Sequence, residues 1–205
     1  MAEQIRNIVF DVGRVLLTFD ERRIAHGSVS NDGDALELSK VTILSPEWKM
    51  LDRGTITFEE AKRVWKSRCP KLSGAIDDMT DNWHFRMEPI MPMWELAGEL
   101  KSAGMKLYVL SNYSTRFWVC RDMWSIFDLM DGFIVSSELS LMKPEKEIFK
   151  ALYDKYEIKP SESFFIDDRL ENTIGAEETG MRAFCFSGDV SALRSALREL
   201  SVPIK

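Results

Sequence analysis

Five short apolar runs, at residues 5–10, 106–110, 132–135, 163–166 and 182–186, are each followed by a polar residue and then by a helical pattern. A continuous β-rich run, without polar alternation, reads as a strand buried on both faces. Strands that alternate with helices form a parallel sheet with helices packed on either side. The pattern therefore predicts an α/β fold, a Rossmann-like, three-layer parallel sheet core. Helices are expected near residues 88–103, 115–125, 144–156, 170–179 and 190–200, with Gly104 and Gly180 where helices should stop.

Residues from about 20 to 86 break this rhythm. They hold few β runs and several amphipathic stretches, among them "FEEAKRVWKSRC", where Phe58, Ala61, Val64 and Trp65 fall at helical spacing. This is a mostly helical insertion after the first strand, so the expected division is a core of residues 1–19 and 87–205 and a helical unit of residues 20–86. Trp48, Trp65 and Trp83 are expected as the core of that small bundle, with a pocket wall as the alternative. The only histidines, His26 and His84, lie in the insertion without metal-ligand spacing, which gives them no catalytic duty.

A length of 205 residues suits one sizeable domain, alone or carrying a smaller inserted one. A net charge of -6 argues against a nucleic-acid partner, which would need a basic face. Cys69, Cys120 and Cys185 are too few and too widely spaced for a disulfide framework or a zinc site, and reduced thiols in a cytoplasm are expected. No apolar run approaches the roughly 18 residues of a membrane span, so no membrane partner is expected either. Nothing in the sequence sets the oligomeric state.

In an open parallel sheet, ligands bind outside the carboxyl ends of the strands, near the point where the strand order reverses. The residues following the strands are therefore informative. The first strand offers Asp11, the second Ser111 and Asn112, and the fourth Asp167 and Asp168, while Lys143 stands in "MKP" after the third. A carboxylate, a hydroxyl, an ammonium and a pair of acids at one edge compose a phosphate-and-metal site.

Four stretches, "VFDVGRVL", "VLSN", "MKP" and "FFIDDRLEN", occur in an order that resembles the haloacid dehalogenase-like (HAD) hydrolases, and with the intervening helices the resemblance spans nearly the whole chain. The insertion is similar to the cap domain of that family in its first permitted position. Its "LDRGTITFEEA" resembles a subgroup that includes a glucose-1-phosphate phosphatase and the phosphatase domain of soluble epoxide hydrolases. The resemblance implies Asp11 as a nucleophile that forms an aspartyl phosphate, splitting one difficult hydrolysis into two easier steps. It implies Mg²⁺, a hard ion wanting oxygen ligands, held by Asp11, the backbone carbonyl of Gly13 and Asp168, with Asp167 and Asn172 supporting that set from behind. Ser111 would hydrogen-bond a phosphoryl oxygen, Asn112 would shape the loop or touch substrate, Lys143 would neutralise developing charge, and Arg14 would meet a substrate anion, with a solvated or salt-bridged arginine as the alternative.

Gly13 departs from the family pattern. Most HAD phosphatases carry Asp there as general acid and base, help worth about 10²–10⁴-fold. Glycine keeps the carbonyl for the metal and has no proton to give, a trait shared by the glucose-1-phosphate phosphatase that the chain resembles. The implied activity is a Mg²⁺-dependent phosphatase for a small phosphorylated metabolite such as a sugar phosphate. Two alternatives stand beside it. A 2-haloacid dehalogenase would use Asp11 against carbon without a metal, but that subgroup has an aromatic residue in place of Gly13 and Thr in place of Val15. A catalytically retired binding protein is disfavoured by the joint presence of Asp11, Ser111, Lys143 and Asp168.

Overall fold

The structure, a computed structural model, describes residues 4–204. Its centre is a parallel sheet of β1 (Asn7–Phe10), β2 (Lys106–Ser111), β3 (Gly132–Val135), β4 (Ser163–Asp167) and β5 (Arg182–Cys185), in the order β3-β2-β1-β4-β5. All the expected strands form. The chain winds from β1 to one side through β2 and β3, then crosses to build β4 and β5 on the other. The order therefore reverses beside β1, and a crevice opens at its carboxyl end.

Between β1 and β2 lie α1 (Glu21–His26), α2 (Asp32–Val41), α3 (Pro46–Arg53), α4 (Phe58–Arg68), α5 (Ser73–Asn82) and α6 (Met91–Ser102). The remaining helices are α7 (Phe117–Met123), α8 (Ser136–Leu139), α9 (Lys146–Tyr156), α10 (Leu170–Glu177) and α11 (Val190–Glu199). None is long and apolar enough to cross a membrane among the described residues. The helix expected from residue 144 begins instead at Lys146, because Lys143 and Pro144 form a turn ahead of it. Gly104 and Gly180 follow α6 and α10 with φ of 84° and 91°, the left-handed conformation in which a side chain would be strained.

The two-residue period of a strand sends alternate side chains to opposite faces. Val9, Tyr108, Leu110 and Phe165 meet Ile148, Phe149 and Leu152 of α9, while Ile8, Phe10, Val109 and Ile166 share the other face with Met93 and Leu96 of α6 and Leu193 of α11. This is the three-layer arrangement. At the edge the expected burial fails: β5 has a strand on one side only, its first three residues are half-buried and Cys185 is exposed.

The insertion hangs from a narrow neck. Thr18 donates its N–H to the Glu88 carbonyl at 2.8 Å, Glu88 returns a bond to the Thr18 hydroxyl at 2.8 Å, and Ile90 donates to the Leu16 carbonyl at 3.1 Å. Beyond the neck, Thr57 and Glu60 close a capping box that starts α4. Ala61 and Trp65 of α4 are buried as its spacing predicts, whereas Val64 faces solvent. The buried apolar cluster on the α6 face of the sheet continues into the insertion through Leu17, Ile24, Trp48, Trp65 and Trp83. Aromatic contacts link Trp65 to Trp48, Trp48 to Trp83, and Trp83 to Tyr113 of the segment after β2.

Candidate active site

The β1–β4 pairing runs one residue past the strand, with Asp11 donating its N–H to the Ile166 carbonyl at 2.9 Å, and this carries the Asp11 carboxyl to the mouth of the crevice. Ser111, the last residue of β2, donates its hydroxyl to Asp11 Oδ1 at 2.8 Å. Lys143 reaches in from the β3–α9 connection, its Nζ 2.9 Å from Asp11 Oδ1 and 2.7 Å from Asp167 Oδ2, and it donates a further bond to the Leu110 carbonyl at 2.8 Å. The Lys143 side chain is 1% exposed, so its charge is answered almost wholly by these partners.

Asn112 fixes the lysine's backbone: its amide donates to the Lys143 carbonyl at 3.0 Å and its oxygen accepts from the Lys143 N–H at 2.8 Å. Of the two roles expected for Asn112, shaping the loop is the one with visible contacts. Asn172, from the first turn of α10, donates to both oxygens of Asp167 at 2.9 and 3.1 Å, and the Arg169 N–H adds a bond at 2.8 Å. Asp167 is fully buried and held on several sides. Asp168, next along the chain, is more open and lies 3.8 Å from Arg14 Nη1.

Burial pushes the Asp11 carboxyl up to about 6, with Lys143 pulling it down and Asp167 pushing it further up. Burial alone would lower the Lys143 ammonium, but Asp11 and Asp167 outweigh it and hold the group above its usual range. Asp168 is also raised, by burial and then by the charge on Asp167. Each of Asp11, Asp167 and Asp168 offers a carboxylate oxygen within 4.8 Å of the others. Three anionic oxygens gathered against one ammonium form a donor set suited to a hard divalent cation.

A cavity of about 810 Å³ covers this floor, lined below by Asp11, Gly13, Ser111, Lys143 and Asp168. Its upper wall comes from the insertion: Ile43, Leu44, Trp48, Met50 and Asp52, together with Trp83. Trp65 is core as expected, while Trp48 and Trp83 are both buried and part of the wall. Arg14 lines the rim with φ of 59°, its guanidinium tied to both oxygens of Glu21 at 2.8 and 2.9 Å and to the Phe19 carbonyl at 2.8 Å. It enters any substrate contact already paired. His26 pairs with Asp32, and neither histidine lines the cavity.

Sequence reasoning missed Asp52. An isolated acid one residue before the end of a helix gives no spacing signal, and only Gly54, a helix stop just after it, hints at a fixed position.

The chain is 27% identical over 183 residues to the sesquiterpene phosphatase astK of Aspergillus oryzae, covering 88% of this chain and 89% of that one. It is 25% identical over 191 residues to a D-ribitol-5-phosphate phosphatase of Bacteroides thetaiotaomicron, covering 88% and 91%. A solved structure of a HAD family enzyme from Bacteroides thetaiotaomicron, in complex with magnesium and inorganic phosphate, superposes with a TM-score of 0.69 at 25% identity, covering 90% of this chain and 96% of that one. An L-2-haloacid dehalogenase from Xanthobacter autotrophicus, at 18% identity and a TM-score of 0.65, shares the fold, covering 87% of this chain and 76% of that one. The sequence model of the haloacid dehalogenase-like hydrolases matches residues 48–180, a stretch that holds Ser111, Lys143 and Asp168, and on that match the chain belongs to this family of hydrolases.

Proposed function

We propose that this hydrolase is a Mg²⁺-dependent phosphatase that cleaves a small phosphorylated molecule through an aspartyl phosphate on Asp11. The observation that carries the reading is the Asp11 carboxylate, held by Ser111 and Lys143 on the floor of a covered cavity with an oxygen of a more open carboxylate, Asp168, within 4.8 Å of it. The activities of two relatives, both phosphatases, and the magnesium and phosphate bound to a structural neighbour support it.

In this reading Asp11, the Gly13 carbonyl and Asp168 would hold the ion, and Asp167 and Asn172 would brace them. Bound Mg²⁺ would neutralise phosphoryl oxygens that the carboxylates would otherwise repel. Asp11 attacks phosphorus in line, Ser111 hydrogen-bonds a non-bridging oxygen, and Lys143 stabilises the charge that develops there. Residues 20–86 act as the cap. Their wall of Trp48, Ile43, Leu44 and Met50 offers apolar surface to the organic part of the substrate, whether the carbon face of a sugar phosphate or a longer alkyl group.

The test is phosphate release from p-nitrophenyl phosphate and a panel of metabolite phosphates, with and without Mg²⁺, for the wild type and for Asp11→Asn. The amide fills the same space and cannot form the acyl phosphate, so Mg²⁺-dependent turnover should vanish while the circular dichroism spectrum is kept. A well-folded Asp11→Asn variant that retains substantial turnover would sink the assignment.

A further inference from the structure

Asp52 is the penultimate residue of α3, and the end of that helix is fastened to the segment that carries Lys143. The Ser136 hydroxyl donates to the Asp52 carbonyl, Arg53 forms an ion pair with Glu145, and Arg53 Nη1 donates to the Ser140 carbonyl at 3.1 Å. Gly54 follows with φ of 75°, so close to Ser137 that a Cβ would collide with its backbone carbonyl. Those contacts engage backbone or neighbouring side chains and none of them uses the carboxyl of Asp52, a residue that lines the cavity.

Among the described residues no cation pairs with Asp52, although Lys49 of α3 lines the same cavity. From the end of β1 Asp52 meets the field of Asp11, and from the segment after β2 it has the Tyr113 phenol and the Ser114 N–H. Glu138 of α8 accepts from the Trp118 indole, Arg53 is spent on Glu145, and Lys143 on Asp11 and Asp167.

We propose that Asp52 is the general acid and base that the loop after β1 lacks at Gly13, delivered from the insertion onto the leaving-group side of the cavity. The inference rests on the phosphatase reading. An in-line displacement sends the departing oxygen away from the nucleophile. Asp11 lines the floor, so that oxygen leaves into the cavity, whose lining includes Asp52. Burial lifts the Asp52 carboxyl well above the ordinary carboxylate range, the Ser114 N–H opposes this, and the charge on Asp11 adds least. A raised carboxyl is the kind of group that can donate a proton to a departing oxygen.

In the first step an Asp11 oxygen forms a bond to phosphorus and the ester P–O bond breaks. Its electron pair goes to the departing oxygen, which takes the Asp52 proton and leaves as the alcohol. In the second step the Asp52 carboxylate takes a proton from a water whose oxygen bonds to phosphorus. The Asp11–phosphorus bond breaks, returning the Asp11 carboxylate, a protonated Asp52 and hydrogen phosphate.

The experiment compares kcat/KM for p-nitrophenyl phosphate and 2-phenylethyl phosphate in the wild type, Asp52→Asn, and Asp52→Asn combined with Gly13→Asp. This parameter reads only steps up to departure of the alcohol. Asp52→Asn should lose about 10²–10⁴-fold on the alkyl ester and far less on the aryl ester, whose leaving group needs little protonation. The alkaline limb of the alkyl pH profile should also disappear. Gly13→Asp should recover alkyl turnover: Gly13 lacks a left-handed φ, and a Cβ there meets Phe19 at an ordinary 3.6 Å.

A second measurement needs no substrate. The uncharged amide mimics a protonated carboxyl, so Asp52→Asn should melt above the wild type by a margin that widens from pH 5 to pH 8. Equal losses on both esters in an active enzyme, or a margin that does not change with pH, overturns the role of Asp52. A wild type that hydrolyses neither ester overturns the phosphatase reading itself.

Discussion

Replacing Lys143 with methionine should produce a deficit that grows with pH. Methionine keeps much of the lysine's apolar stem and removes its ammonium, which now binds Asp11, Asp167 and the Leu110 carbonyl at 2.7–2.9 Å. Asp167 keeps Asn172 and the Arg169 N–H, and Asp11 keeps Ser111, but two carboxylates remain buried without a cation. Breaking a buried pair in this way costs about 3–5 kcal/mol. For a chain of this size that lowers the melting temperature by on the order of 10 °C.

The sign with pH follows from linkage. The Asp11 carboxyl stands at about 6 in the folded protein even with the ammonium beside it, and without that partner it rises further. Unfolded carboxylates ionise near 4. Between those values the folded variant binds a proton that the unfolded chain has released, so its stability falls as pH rises, by up to about 1.4 kcal/mol per pH unit for one proton. The gap between wild type and variant should therefore be small at pH 5 and large at pH 8, and Mg²⁺ should narrow it. A metal at 100 times its dissociation constant contributes about 2.7 kcal/mol. Thermal and urea denaturation across this range, with and without Mg²⁺, measures the effect. A deficit under about 1 kcal/mol at pH 8, or one independent of pH, would refute Lys143 as the counter-ion of the cluster.

Asp168→Ala should raise the Mg²⁺ concentration needed for half-maximal activity while leaving the melting temperature near that of the wild type, because Asp168 has one distant cation and partial exposure. Asp167→Ala should do the opposite, unfolding the protein at lower temperature as Lys143 and Asn172 lose a shared partner; metal titrations and melts of both variants decide the order. Gly54→Ala should cost more than about 1 kcal/mol in denaturant titrations, since it combines a left-handed φ with a collision at the Ser137 carbonyl, and it should depress turnover of alkyl esters by unseating Asp52.

The floor of the site was legible because a parallel sheet gathers its strand ends at one edge, so Asp11, Ser111 and Asp168 could be placed together from the runs that precede them. Lys143 was legible through its neighbours in "MKP", although the turn at Pro144 delays α9 by two residues. The wall was not. Trp48, Trp65 and Trp83 carry the same expectation from the sequence, a bundle core with a pocket wall as the alternative, and only tertiary packing makes Trp65 interior and the other two part of a cavity. Asp52 was invisible for the same reason: what distinguishes it is that Arg53 and Lys143 pair with other acids, a property of residues far away in sequence. For Arg14 the sequence leaves both a substrate anion and a salt bridge open, and the pairing with Glu21 is visible only in the structure.

The neck between Thr18 and Glu88 has an evolutionary consequence. The chain leaves the sheet and returns to it within the span of a hydrogen bond, so the excursion between is a closed loop whose length the strands do not constrain. Doubling such a loop adds only about 0.6 kcal/mol of closure entropy. A lineage can lengthen, shorten or reshape this excursion, and so change which alcohol fits beneath it, while the floor inherits no rearrangement. The freedom has one boundary. If the excursion also brings the proton, then every new shape must return an acid to the place that Asp52 holds, or the lineage must restore one at Gly13.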